Sequence, residues 1–369
     1  MIRAERWRDA ATGLQAVFVL DDDTLGPAAG GVRTRQYPSG ADAELDAARL
    51  ARAMTIKCSL AGLDAGGGKV VVWGLGADRG AAFEALGRKV EELGGALLTA
   101  GDLGTGPEDL QAMARTTQHV HTGGAALQRA AGRALLRCLQ ACADVRGVEV
   151  EGLSVAIQGC GTIGSAAARA FSEAGVRLTV SDIDAGRALA LAAEVGARVC
   201  DPDDVLGLSC DVVSPCAAGG AITTENAGSL RAWAVCGGAN NVLASPEAER
   251  SLQDREVLFV PDVVASAGAV IEGVGERLMQ LEDRTPLLDR LRFTARAIVD
   301  EAASSGRLAT EVAQARALAR LGAAALVLCL AHPPAPRGLT AGRADPHAAE
   351  VGLARGGATS RSLFGRTTD

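Results

Sequence analysis

One stretch of this 369-residue chain limits its possible folds more than any other. An apolar segment, 154–158, runs into Gly159-Cys160-Gly161-Thr162-Ile163-Gly164, then into an Ala-rich segment, 165–173, and then into a second apolar segment, 177–180. The order predicts strand, tight turn, helix and strand. The three glycines suit a tight turn, a close approach of backbone to a pyrophosphate, and close helix–strand packing. The start of the helix supplies amide donors and partial positive charge to an anion. Asp182 follows the second strand, 18 residues after Gly164. A carboxylate there accepts ribose hydroxyls and repels a 2′-phosphate, which favours NAD over NADP. A Gly-rich turn in some other α/β fold is the alternative, because the chain holds 46 glycines. The flanking strands favour the dinucleotide reading.

Further short apolar segments at 211–214, 234–236 and 258–260 continue the alternation, so a parallel, doubly wound sheet is expected. Upstream, 16–20 and 70–73 read as buried strands, 41–54 and 81–93 as amphipathic helices. Residues 97–99 read as a short strand feeding the loop 100–106, and 127–144 as a long crossing helix. One helical tail is expected over 285–330, with Thr285 as cap and Pro286 in the first turn. From His332 the chain is rich in Pro, Gly, Arg and Ser, which predicts disorder.

Composition narrows the function. Hydrophobic residues make up 48% and charged residues 22%, as in an ordinary globular protein. A net charge of −7 gives no support to nucleic-acid or anionic-membrane binding. The start of the chain shows no secretory signal pattern, and the longest apolar run, 321–331, is too short to span a bilayer. Nine cysteines without a CxxC pair read as reduced thiols of a cytoplasmic enzyme, with no metal site.

Of 37 basic residues only three are lysines, Lys57, Lys69 and Lys89. A chain that prefers arginine keeps lysine where a removable proton is needed, because a desolvated ammonium deprotonates and a guanidinium does not. Lys57 and Lys69 sit in apolar, Gly-rich surroundings, and Gly66-Gly67-Gly68 before Lys69 would let backbone or a ligand approach closely. Lys89, beside Arg88 and Glu91, reads as a surface residue.

Several segments resemble the leucine, phenylalanine and valine dehydrogenases, short relatives of glutamate dehydrogenase. They are Gly26–Arg33, Tyr37, Met54–Val72 with both lysines, Ala100–Gly106 with Asp102 and Thr105, and Gly159–Gly164. They continue through Ser181–Asp184, Asp201–Asp204, Ser214–Ala217, Gly238–Asn241 and Pro261–Gly268, collinear over about residues 15–330. The resemblance implies a two-domain α/β architecture. An N-terminal substrate-binding and oligomerisation domain (1–125) would precede a doubly wound Rossmann domain (126–284). Helices 285–330 would return toward the first domain, and 331–369 would form a disordered tail.

The resemblance also implies roles. Lys57 would bind the substrate carboxylate, Lys69 would activate water, and Asp102 would shuttle protons. Gly31, Met54, Ala267 and Val270 would line an apolar substrate pocket. Cys216, Ala217, Ile183 and the glycine-turn residues would hold NAD. Asn240 would meet the nicotinamide end and Asn241 the substrate side. The expected reaction is oxidative deamination of an apolar or aromatic L-amino acid to a 2-oxo acid and ammonia, in a homo-oligomer, dimer or octamer. Different imine or 2-oxo-acid chemistry and a non-catalytic dinucleotide-binding homologue are the alternatives.

The match departs from the family between 120 and 130, where the loop before the crossing helix is shortened and Arg129 stands near an expected threonine. Arg129 is read either as a surface residue or as a site for an extra anionic group. His119 and His121 alternate as in a strand, but no third metal ligand accompanies them. Cys58 and Cys160 read as packing residues.

Overall fold

Triple valine at 70–72 and the run Val17-Phe18-Val19 build the centre of a first sheet, because β-branched and aromatic side chains pack well on a pleated surface. The computed structural model describes residues 3–331. The chain begins with β1 (Arg3–Arg8), β2 (Gln15–Asp22), β3 (Ala28–Thr34), α1 (Gly40–Leu60), β4 (Gly66–Gly74), α2 (Arg79–Glu92), β5 (Leu97–Gly101) and α3 (Pro107–Ala114). The strands form a mixed sheet in the order β1-β2-β4-β3-β5, with β3 parallel to both β4 and β5. One face packs on α2 and α3 through Val70, Val72, Phe83 and Met113. The other packs on α1 through Val17, Val19, Val71, Ala43, Ala47 and Ala51.

The crossing helix α4 (Ala125–Arg146) ends at Gly147 in the left-handed region, φ 73°, a conformation that suits glycine. Then come β6 (Ser154–Gln158), α5 (Thr162–Glu173), β7 (Arg177–Ser181), α6 (Ala185–Val195), β8 (Arg198–Val199), β9 (Val212–Pro215), α7 (Thr224–Ala227), β10 (Ala234–Val235), α8 (Pro246–Asp254) and β11 (Leu258–Phe259). The order β11-β10-β9-β6-β7-β8, parallel throughout, is the doubly wound dinucleotide-binding arrangement. The chain reverses direction across the sheet between β6 and β9, the place where such sheets open a ligand crevice. The two sheets mark the two domains of the expected architecture.

After α9 (Asp262–Ala265) and α10 (Gly268–Arg277), the expected single tail is two helices, α11 (Thr285–Ser305) and α12 (Ala309–Ala331). Gly306, at φ 69°, breaks them. Thr285 is the first helical residue and not the cap. Its N–H donates to Asp283 Oδ1 at 2.8 Å, so the capping group lies two residues upstream. The tail expected at 331–369 lies outside the described residues, apart from Ala331 at the end of α12.

One further boundary moves, and one open alternative is decided. The first helix does not stop at Met54 but continues to Leu60, so Lys57 occupies its last turn. The three glycines before Lys69 belong to β4, and they admit protein backbone. A Cβ on Gly67 would lie 2.2 Å from Thr55 N and 2.3 Å from Ala51 O, and one on Gly66 would lie 1.7 Å from Asp22 O. They bring α1 and β2 onto the strand that carries Lys69. No described helix is long and apolar enough to cross a membrane.

Candidate active site

Lys69 and Arg33 lie on the α1 side of the first sheet, because side chains alternate along a strand and Val70 and Val32 take the opposite face. Asp102 follows β5 directly. Lys69 Nζ meets Asp102 Oδ2 at 2.5 Å, with both side chains largely buried. Gly31, paired with Ala100 of β5, makes that meeting possible: a Cβ on Gly31 would lie 2.9 Å from Asp102 Cβ. The residue expected to line a pocket thus also clears the space for the carboxylate.

Lys57 is buried one turn beyond Met54 on α1. Its ammonium donates to Ser266 Oγ at 2.7 Å and to Asn240 Oδ1 at 3.4 Å, and Ser266 Oγ donates onward to Asp262 O at 2.6 Å. Asn240 thus stands beside the Lys57 ammonium. Asn241, at φ 53°, donates its N–H to Asp262 Oδ2 and lines another cleft with Leu243, Phe259 and Thr310. Ala267 is buried at the start of α10, with Val270 one turn on.

Burial sets the electrostatics. It pushes the Lys57 ammonium below its usual range, against Asp262 and with Lys69. It also pushes Lys69 down, opposed by Asp102 and assisted by Arg33. Burial would raise the Asp102 carboxyl, but Lys69 and Arg33 outweigh it and hold the group down at about 2. The result is a buried carboxylate beside an amine that gives up its proton more readily than a free lysine. Neighbouring Cys58 is unreactive, its thiol pushed up to about 12 by burial. Lys89 pairs with Glu5 at 2.8 Å on the periphery.

The second sheet presents the nucleotide crevice. Gly159 has φ 97° and a Cβ there would lie 2.8 Å from the Ala217 Cβ. A Cβ on Gly164 would lie 1.8 Å from Gly159 O. Gly161, the cap of α5, has nothing within 4 Å of a notional Cβ, so the helix start is open. Thr162 is exposed beside it and Ile163 half buried. A cleft of about 300 Å³ is lined by Gly159, Ser181, Asp182, Ile183, Ala217 and Ala221. These residues fit a dinucleotide: tight turn, open amide end and a carboxylate in one crevice. Asp182 Oδ2 accepts the Cys160 N–H at 2.7 Å and its Oδ1 the Asp184 N–H at 2.8 Å, which fixes the carboxylate under the turn. Cys216, at the end of β9, and Cys160 are buried, the latter pushed up to about 11 by burial.

Three contributors were not singled out in the sequence. Ser266, with Asn240, faces Lys57, while Arg33 and Asp46 stand behind Asp102. In addition, Arg320 of α12 donates to the carbonyls of Ser59 and Leu63 at 3.1 and 2.8 Å, clamping the turn between the two lysines. Arg129 is exposed and makes no ion pair among the described residues. His121 lies 3.3 Å from Glu276, and His119 lies 3.8 Å from Glu91. Among the described residues no cluster of metal-ligating side chains forms.

A nucleotide crevice, a buried Lys69–Asp102 pair and a second buried lysine suit an oxidoreductase that works on amines. Comparison with known proteins gives the family. Residues 3–119 match the Glu/Leu/Phe/Val dehydrogenase dimerisation domain, and residues 184–285 match the Glutamate/Leucine/Phenylalanine/Valine dehydrogenase domain. Leucine dehydrogenase of Geobacillus stearothermophilus is 36% identical over 281 residues, 73% of this chain and 76% of that one. L-tryptophan dehydrogenase of Nostoc punctiforme is 31% identical over 311 residues, 82% of this chain and 88% of that one. The crystal structure of L-tryptophan dehydrogenase from Nostoc punctiforme superposes with a TM-score of 0.77 at 28% identity, covering 88% of this chain and 96% of that one. The chain belongs to the Glu/Leu/Phe/Val dehydrogenase family and is an amino-acid dehydrogenase, an oxidoreductase acting on CH–NH2 groups.

Proposed function

We propose that the enzyme carries out NAD-dependent, reversible oxidative deamination of an apolar or aromatic L-amino acid, giving a 2-oxo acid and ammonia. The observation that carries this reading is the buried Lys69–Asp102 pair at 2.5 Å, with a second buried ammonium, Lys57, that Lys69 helps to push down. Lys57 binds the substrate carboxylate, drawing on an ammonium already oriented by Ser266 and Asn240. Bound NAD supplies the acceptor for the hydride that leaves Cα. Lys69, depressed by burial, takes a proton from the water that attacks the substrate imine. Asp102 holds and returns the proton exchanged with the amino group. The apolar surroundings exclude bulk water, which strengthens each of these interactions.

Asp182 in the crevice supports NAD in preference to NADP. Gly31, Met54, Ala267 and Val270 are apolar and offer no second cation for an acidic side chain, which supports an apolar or aromatic substrate. The L-tryptophan dehydrogenase likeness points the same way. The domain limits proposed are 1–125 for substrate binding and oligomerisation, 126–284 for the dinucleotide and 285–330 for the closing helices. The match of residues 3–119 to a dimerisation domain supports a homo-oligomer. The test is formation of reduced cofactor from a panel of L-amino acids at alkaline pH, with NAD and NADP compared. Turnover of leucine, phenylalanine or tryptophan with NAD is expected. Turnover of glutamate alone would overturn the substrate assignment.

A further inference from the structure

The carboxylate of Asp102 has a second cation on the same oxygen. Its Oδ2 meets Lys69 Nζ at 2.5 Å and Arg33 Nε at 3.1 Å. Arg33 also donates from Nη1 to Asp46 Oδ2 at 3.1 Å. Tyr37 donates its hydroxyl to that same Asp46 oxygen at 2.6 Å, and Arg49 meets the other oxygen at 2.9 Å. The series Tyr37, Asp46, Arg33, Asp102, Lys69 is continuous, yet it is no proton wire, because a guanidinium does not deprotonate in a protein. Its work is therefore geometric and electrostatic. One strand supplies both requirements for Asp102: Gly31 leaves the space, and Arg33, two residues on and on the same face, supplies the anchor.

We propose that Arg33, braced by Asp46 and Tyr37, is a positioning residue that holds the Asp102 carboxylate, in its charged form, against Lys69. This rests on the catalytic assignment of Lys69 and Asp102. The charged and titratable groups around the pair are Arg33 from β3, Asp46 and Lys57 from α1, and Tyr37 behind Asp46. Asp262 faces Lys57. On β2, Asp21 is engaged by Thr55 and Arg52.

Arg33 and Asp46 act on Lys69 with opposite sign: the guanidinium pushes the ammonium down and the carboxylate pushes it up. Arg33→Gln should therefore move the ascending limb of the pH–rate profile to higher pH and lower kcat by about ten- to a hundredfold through lost alignment. Asp46→Asn should move the same limb to lower pH. Arg33→Lys keeps the charge but not the two-way fork, so the limb should return near its wild-type position with kcat only partly restored. General structural damage would not shift two variants in opposite directions.

Wild-type turnover, measured first, tests the dehydrogenase reading, and the direction of the variant shifts tests Arg33. The pH dependence of Lys69 acylation by an amine reagent, followed on its peptide by mass spectrometry, reports the same order without turnover. If Arg33→Gln does not fold, the Arg33→Lys and Asp46→Asn pair decides by the same rule. Shifts in one common direction, or a limb that neither variant moves, would overturn the proposal.

Discussion

Lys57 donates to Ser266 Oγ at 2.7 Å, joining the last turn of the first helix to the turn between α9 and α10, 209 residues away. The ammonium that would meet the substrate carboxylate is thus oriented by a hydroxyl from beyond the nucleotide-binding sheet. Asn240 completes the arrangement from the loop after β10.

Removal of that hydroxyl tests its importance. A hydrogen bond to a charged group contributes about 1.5–3 kcal/mol, so Ser266→Ala should raise KM for the amino acid by about tenfold or more. A smaller change in kcat is expected, since Lys69 and Asp102 are untouched. Steady-state kinetics separates the two parameters, and an unchanged KM would show that Ser266 does not orient Lys57.

Lys57 should also be a stability cost. Its folded-state value is pushed below the ordinary 10.5 by burial. Between the lowered value and 10.5 the unfolded chain binds more protons, so this group's contribution to stability rises with pH through that window. Below the window the whole cost is present. Lys57→Met should therefore raise Tm at neutral pH by about 1–2 °C, the effect of about 1 kcal/mol spread over the unfolding entropy of 369 residues. Thermal melts should show the gain shrinking as pH rises, while amino-acid turnover is lost. A lower Tm at neutral pH would contradict this.

Asp182 should govern the choice of cofactor. Its carboxylate is held in the crevice by the Cys160 and Asp184 amides, and under the proposed NAD reading it would repel a 2′-phosphate. Asp182→Ala should weaken NAD binding by about tenfold and narrow the gap to NADP, as loss of a charged hydrogen-bonding group predicts. Fluorescence titration with both cofactors measures the ratio. An unaltered NAD-to-NADP ratio would remove Asp182 from the discrimination.

Legibility from sequence followed locality. The glycine turn could be read because its geometry is set within six residues, 159–164, and the β6-α5-β7 unit around it is contiguous. The length of the first helix was underestimated, because Thr55, Ile56 and Cys58 are poor helix formers that tertiary burial holds in place. The glycines before Lys69 signalled a close approach of backbone or ligand. The pattern could not say which, and Thr55 and Ala51 show it is backbone. β1 and β3 escaped notice, one because its residues are mostly charged and exposed, the other because glycine interrupts its centre. The supporting side chains were invisible for a different reason. Arg33 meets Asp102 across 69 residues, so no spacing rule could pair them. The opposite facing of Asn240 and Asn241 depends on a left-handed backbone at Asn241, which composition does not encode.

The central claim is that Lys69, made a weaker acid-holder by burial and paired to Asp102, performs the base chemistry. The most direct measurement is the rate of cofactor reduction by Lys69→Met on the best substrate of the wild-type enzyme, with NAD affinity measured alongside. The account predicts a fall in kcat of about 10²–10⁴-fold with NAD binding intact, the span general base catalysis contributes. Wild-type kcat in that variant would contradict it.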